Sequence, residues 1–215
     1  MYVKNRMTKD PYTIQADAPI TEVVELMRIK NLKRIPVLDG ERVVGILTDG
    51  DIQKVSPTKA TALSVFEINY LLAKTTVRDA MTKKVVTISP EDILEEAAVL
   101  MRANRVSSLP VIDGTRLVGI ITESDIFDAF IDLLGGRDIG TRLVIETDDK
   151  PGILSDVANI VSEYGANINH IAAYRREEEK RSDVVIRMDT LDSEAIIQSL
   201  EKKGYEILSI TKNRS

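Results

Sequence analysis

No cysteine occurs in this chain, which excludes disulfides, thiolate metal sites and cysteine nucleophiles. Histidine occurs once, at His170. Without a triad partner it is weak support for catalysis, and on a predicted strand it reads as an ordinary strand residue. Apolar residues never run on for the ~18 positions that a membrane span needs. The first residues, Met1-Tyr2-Val3-Lys4-Asn5-Arg6, hold no apolar signal core. Basic charge is in deficit, 29 Lys and Arg against 34 Asp and Glu, for a net charge of -5. A phosphate backbone needs a basic footprint, so no nucleic-acid partner is expected. A cytoplasmic protein with no membrane association and no metal site is the reading these absences favour.

What is present is a duplication. Residues 3 to 52 recur as residues 77 to 126 without a gap, and about 21 of the 50 aligned positions are identical. Met7-Thr8-Lys9 returns as Met81-Thr82-Lys83, and Pro36-Val37-Leu38-Asp39-Gly40 as Pro110-Val111-Ile112-Asp113-Gly114. Gly45-Ile46-Leu47-Thr48-Asp49-Gly50-Asp51-Ile52 returns as Gly119-Ile120-Ile121-Thr122-Glu123-Ser124-Asp125-Ile126. A small unit cannot bury its apolar face alone, so two such units are expected to face each other with clefts between them.

Within the first copy, Ile20, Val23, Val24 and Met27 form a helical stripe, matched by Ile93, Leu94, Ala97, Ala98 and Met101 in the second. Ser89-Pro90-Glu91-Asp92 predicts a capped helix start, and Asp17 with Pro19 does similar work in the first copy. Ile35 to Leu38 and Val43 to Leu47 predict a hairpin, repeated at Leu109 to Ile112 and Leu117 to Ile121. These runs are almost continuously apolar, which predicts sheets covered by helices on both faces. A further helix is predicted over residues 60–74, with Ile126 to Leu134 as its counterpart.

Thr48 and Thr122 sit where strand passes into helix, each three residues before an aspartate, Asp51 and Asp125. One reading makes each pair a capping box. The other places a ligand at the junction, where helix N–H groups suit a phosphate and a carboxylate accepts ribose hydroxyls. The two are compatible in one residue.

The whole pattern, Met-Thr, the amphipathic helix, Pro-Val-Ile/Leu-Asp-Gly and Gly-Ile-x-Thr-x-x-Asp-Ile, resembles a tandem CBS module (cystathionine β-synthase type, or Bateman module) over both copies. The resemblance implies adenine nucleotide, AMP, ADP or ATP, or S-adenosylmethionine, bound as a regulatory ligand in the clefts, with no cofactor required. It implies ribose contacts at Asp51 and Asp125, and ribose or phosphate contacts at Thr48 and Thr122. Around the base it implies Thr13, Ile35 and Pro36, and Thr87, Leu109 and Pro110. Lys33-Arg34 stand where the second copy has Ser107-Ser108. Arg34 is thereby a candidate phosphate contact, or else a solvated surface residue.

Gly135-Gly136-Arg137-Asp138-Ile139-Gly140 is a glycine-rich break. Beyond it the expected order is strand 142–146, a helix carrying Ile153, Leu154, Val157, Ile160 and Val161, strands 168–174 and 184–188, helix 193–203 and strand 205–211. That β-α-β-β-α-β order is the ferredoxin-like layout. Arg175 to Arg181 reads as a solvated hairpin loop, since its charges nearly cancel. Asp149-Lys150-Pro151-Gly152-Ile153-Leu154 with Asn167-Ile168 is similar to the ACT domain. That likeness implies an amino acid held by Asp149, Gly152, Ile153, Leu154 and Asn167 at an interface between copies, although Pro-Gly also simply shapes a turn.

The expected fold class is α+β: CBS repeats over residues 1–76 and 77–136, then a ferredoxin-like ACT domain over 137–215. This order resembles the acetoin utilization proteins. It implies a non-enzymatic regulatory sensor, a homodimer acting on an unidentified protein target. No catalytic cluster of nucleophile, base and metal ligands is visible, which leaves carboxylates as the one chemistry for a nucleotide-processing alternative. A structural interaction module with empty clefts is the other alternative.

Overall fold

The computed structural model describes residues 1–55, 74–176, 178 and 180–214. It divides into two compact bodies, Met1–Ile126 and Phe127–Ser215. Each is described by itself.

In the first body, the first repeat comprises β1 (Thr8–Lys9), β2 (Ile14–Gln15), α1 (Ile20–Lys30), β3 (Arg34–Asp39), β4 (Arg42–Thr48) and α2 (Asp49–Val55). The second comprises α3 (Val77–Ala80), α4 (Leu94–Asn104), β5 (Ser108–Asp113), β6 (Arg116–Thr122) and the start of α5 (Glu123–Leu133). On α1 the predicted stripe is buried at Ile20, Val23 and Met27, all at 3% exposure or less, but Val24 is 38% exposed and lies off it, as does Ile93 at 44% in the second copy. Both hairpins turn at a glycine with positive φ, 62° at Gly40 and 60° at Gly114, as the two-residue loop requires. The predicted helix over residues 60–74 falls almost wholly outside the described residues.

The repeats exchange their leading segments. β1 of the first copy pairs with β6 of the second, Thr8 opposite Ile120, giving the sheet order β1-β6-β5. Reciprocally, Thr82 bridges to Ile46 of β4 in the sheet β2-β3-β4. Val77 and Met81 consequently belong to the first repeat's core, beside Ile20, Ile35, Val37 and Leu47. Val3 and Val77 are both fully buried, each worth roughly 1.5–3 kcal/mol relative to exposure.

Exchange also explains a departure at the helix starts. Ser89 does not cap α4: its N–H donates to the Asp92 carboxylate at 2.9 Å and its hydroxyl accepts from Glu91 N–H at 3.3 Å, closing a turn before Leu94. The free N–H of Leu94 instead donates to the Met1 carbonyl at 3.0 Å, and that of Ile20 to the Thr75 carbonyl at 2.9 Å. A backbone oxygen from the exchanged segment supplies what a side-chain cap ordinarily supplies.

The sheets also differ from expectation on their second face. β4 and β6 lie against each other, so that face of each sheet meets the other repeat rather than a second layer of helix.

The second body begins with the remainder of α5 and continues through β7 (Gly140–Asp148), α6 (Ile153–Glu163), β8 (Ile168–Arg176), β9 (Arg181–Met188), α7 (Glu194–Lys202) and β10 (Glu206–Asn213). The sheet is antiparallel with order β10-β7-β9-β8, the ferredoxin-like arrangement expected. Leu143, Ile145, Ile186 and Met188 form its core with Val157, Ile160, Val161, Ile196 and Leu200 from the helices. Gly140 has φ 142°, and an added Cβ would meet the Met188 carbonyl oxygen at 1.9 Å, so β7 can start here only with glycine.

Two expectations about this body are corrected. His170 is not an idle strand residue: Nδ1 lies 2.8 Å from the Leu133 carbonyl and Nε2 lies 2.7 Å from Asp138 Oδ2. It ties β8 to the segment after α5. Arg176 and Arg181 are not solvated, because both guanidinium groups converge on Glu146 of β7. Arg175, Glu178 and Lys180 of the same run are exposed, as a solvated loop requires.

Candidate functional site

At each strand-to-helix junction the Thr-x-x-Asp pair closes a full capping box. Asp51 N–H donates to Thr48 Oγ1 at 3.3 Å, while Asp51 Oδ2 accepts from Thr48 N–H at 3.1 Å and from its hydroxyl at 2.7 Å. The second copy repeats this, with Asp125 N–H to Thr122 Oγ1 at 3.3 Å and Oδ2 accepting at 2.8 and 2.7 Å. The cap uses one carboxylate oxygen and leaves the other available.

The copies differ at that other oxygen. Asp51 Oδ1 accepts from Lys54 Nζ at 3.0 Å and from the Thr82 hydroxyl at 3.5 Å, and the residue is 5% exposed. Burial pushes its carboxyl up, but the Thr48 hydroxyl, Lys54 and the Thr48 amide together outweigh it and hold the group below its ordinary value. Asp125 is only half-buried, and its Oδ1 has no hydrogen-bond partner among the described residues.

A cleft of about 560 Å³ opens beside the second copy's junction, lined by Thr122, Glu123 and Ser124 together with Lys33, Arg34 and Pro36 of the first repeat. Its volume lies within the usual range of small-molecule sites. Thr8, Lys9, Asp10 and Tyr12 of the exchanged segment also line it, whereas Asp125 does not. Arg34 reaches across the repeats, its Nη1 donating to the Ser107 carbonyl. That carbonyl also accepts from Glu123 N–H at 3.2 Å, just as the Lys33 carbonyl accepts from Asp49 N–H at 3.2 Å. The linear sequence associates Arg34 with Asp51, whereas the fold groups it with Thr122.

The remaining candidates separate. Ile35 and Leu109 are fully buried core residues, so only their backbone is available to a ligand. Pro36 lines the cleft, and Pro110 occupies the equivalent buried position on β5. Thr13 is half-buried just before β2. Thr87 lies instead in a groove of about 550 Å³ at the hairpin ends, with Arg42 and Arg116.

In the second body, Asp149, Gly152, Ile153 and Leu154 line one cleft of about 480 Å³. It includes Arg175, which pairs with Asp149 at 3.4 Å. Asn167 does not line that cleft: its N–H donates to the Asp189 carboxylate at 2.9 Å, beyond the opposite end of β9. On the other side of the Pro151-Gly152 turn lies a group that sequence spacing did not single out. Asp156 accepts from Lys203 at 2.8 Å and from the Tyr205 hydroxyl at 2.7 Å, and lines a further cleft of about 390 Å³.

Comparison with known proteins decides the family. The model of the CBS domain matches residues 3–57 and 77–132, more than half of the chain. The chain belongs to the CBS-domain family. The model of the ACT domain matches residues 141–204, within the second body. An uncharacterized protein of Methanocaldococcus jannaschii is 32% identical over 155 residues, which cover 61% of this chain and 92% of that protein. Inosine-5'-monophosphate dehydrogenase of the same organism is 33% identical over 139 residues, covering 64% of this CBS protein but only 25% of the enzyme.

Among solved structures, a candidate acetoin utilization protein (AcuB) from Vibrio cholerae is 26% identical with a TM-score of 0.53, covering 64% of this chain and 95% of that one. A CBS domain pair in complex with 5'-methylthioadenosine and S-adenosyl-L-methionine is 28% identical with a TM-score of 0.51, over 64% and 98% of the two chains. CBSX2 in complex with AMP is 25% identical with a TM-score of 0.52, over 61% and 97%. Similar CBS pairs thus bind adenosine compounds of different charge.

Proposed function

We propose that this CBS protein is a non-enzymatic regulatory sensor that binds an adenine nucleotide between its CBS repeats and signals through an unidentified protein target. The observation that carries the reading is the cleft of about 560 Å³ at a strand-to-helix junction. There Thr122, a helix start and the cationic Lys9, Lys33 and Arg34 line one space, beside the carboxylates of Asp10 and Glu123, groups that suit the phosphate and hydroxyls of a nucleotide. Similar CBS pairs crystallised with AMP, or with S-adenosylmethionine and methylthioadenosine, support the ligand class. The ACT cleft around Asp149 to Leu154 is the place for an amino acid, and acetoin utilization is the pathway that the likeness to the Vibrio protein supports.

One thermal-unfolding experiment tests both ligand classes. AMP, ADP, ATP or S-adenosylmethionine at 100 times Kd raises stability by about 2.7 kcal/mol, and an amino acid that binds the ACT cleft adds its own shift. No shift with any adenine compound sinks the sensor reading and leaves the interaction module. Steady turnover of a nucleotide favours the enzyme instead.

A further inference from the structure

We propose that the segment joining α5 to β7 is a proton-operated latch, seated on the ACT sheet when His170 is an imidazolium and loosened when the ring gives up its proton. The latch acts on the one helix that both bodies share, since α5 runs from Glu123, next to Thr122, to Leu133. It does not depend on which ligand the clefts hold.

Both ring nitrogens face groups that can only accept. Nδ1 lies 2.8 Å from the Leu133 carbonyl oxygen, and Nε2 lies 2.7 Å from the Asp138 carboxylate. A neutral imidazole carries one N–H and one lone pair, so it donates to one of these acceptors and turns its lone pair on the other. The imidazolium alone satisfies both. Two further side chains hold the segment's backbone and keep their protons throughout. The Asp138 carbonyl accepts from Arg187 Nη1 at 3.1 Å and from Asn213 Nδ2 at 3.0 Å, so β9 and β10 grip the backbone that His170 of β8 grips at Leu133 and Asp138. An added Cβ at Gly135 would collide with the His170 ring and with Arg187, which places the segment directly against both. Asp138 attracts the charged ring, and Arg187, opposite His170 in the β8–β9 pair, repels it. The carboxylates of α5 near this end, Asp128 and Asp132, are paired with Arg137. The His170 side chain is 24% exposed, so solvent reaches it to exchange the proton. The latch therefore holds fully at mildly acid pH, and it loses one of its two ring contacts as pH rises through the titration of the ring.

His170 is the chain's one histidine, so nuclear magnetic resonance of the full chain reads a single imidazole titration. Between about pH 5 and 9, the amide signals of Gly135, Gly136 and Asp138 should move with the same midpoint as the ring. Amide exchange at these residues, corrected for its intrinsic pH dependence, should be roughly tenfold faster once the ring is neutral, the equivalent of one hydrogen bond to a charged group. In His170→Gln, which cannot titrate, the same amides should stay still. Linker amides that do not move while the ring titrates overturn the latch. So does a ring whose nitrogen signals show a single proton at the acid end, or an unaltered pH response in the variant. The co-titration in the wild-type chain decides by itself if the variant does not fold.

Discussion

Asp51 and Tyr205 are two residues whose surroundings alter their acid–base behaviour. Burial raises the Asp51 carboxyl, yet its hydrogen bonds from Thr48 and Lys54 win, so it ionises below its ordinary value of 3.8. A depressed folded-state value means that the group's contribution to stability is complete above the ordinary value and is lost as pH falls through the depressed one. Unfolding measured against pH therefore shows an acid-sensitive component below pH 3.8 that Asp51→Asn removes, at a cost near neutrality of about 1 kcal/mol for the weakened cap. An unchanged acid limb in the variant argues against this role. Tyr205 moves the other way: burial first, and then the Asp156 carboxylate, push its phenol up to about 12. Its contribution is intact below pH 10.0 and lost as pH rises toward 12. Ultraviolet titration should find a tyrosine that ionises near 12, and Asp156→Asn should advance it toward 10.0 without abolishing the delay, because burial persists. The environment of Tyr205 is not written in its own stretch of chain, and that of Asp51 only in part. Thr48 and Asp51 are close in sequence and their cap was legible, whereas Thr82 reaches Asp51 only because the repeats exchange segments.

At the level of strands and helices, the exchange accounts for two duplicated motifs together. An added Cβ at Gly119 would lie 2.5 Å from Met7 Sδ, and one at Gly45 would lie 2.2 Å from Met81 Sδ. Each glycine of a Gly-Ile-x-Thr strand is therefore the socket for the methionine of the opposite repeat's Met-Thr. Gly119→Ala should destabilise the first body by about 1–3 kcal/mol through overpacking. Met7→Ala in the same chain should recover part of that loss, because the clash and the cavity occupy the same space. Additive losses in denaturant melts would argue that glycine and methionine do not meet. The helices and hairpins themselves were readable, since apolar spacing and the Asp-Gly turns are local signals. Their partners were not: a segment that leaves one repeat for an identical-looking one presents the same pattern either way. For the same reason Arg34 was legible as a cation near a ligand site but not as a cation in the cleft of the other copy. His170 gave no sequence signal at all, because its acceptors at Leu133 and Asp138 lie far along the chain.

For the molecule as a whole, the order of two CBS repeats and an ACT domain was visible from motifs alone, and the family matches agree with it. Association is the property that this order leaves to experiment. Helix α5 exposes Phe127, Phe130 and Leu133 at 66%, 58% and 61%, apolar area that a second copy can cover. The homodimer that the resemblance implies should sediment as such at micromolar concentration, and Phe127→Glu with Phe130→Glu should yield monomer. A wild-type monomer across the whole concentration range defeats the proposal. The pairing of Thr8 with Ile120 also has a temporal side. During synthesis β1 leaves the ribosome well before β6, its partner, and waits for it before it finds its sheet. Since domains form as the chain emerges, the first body completes itself late, and any pause in translation before Ile120 leaves β1 unpaired.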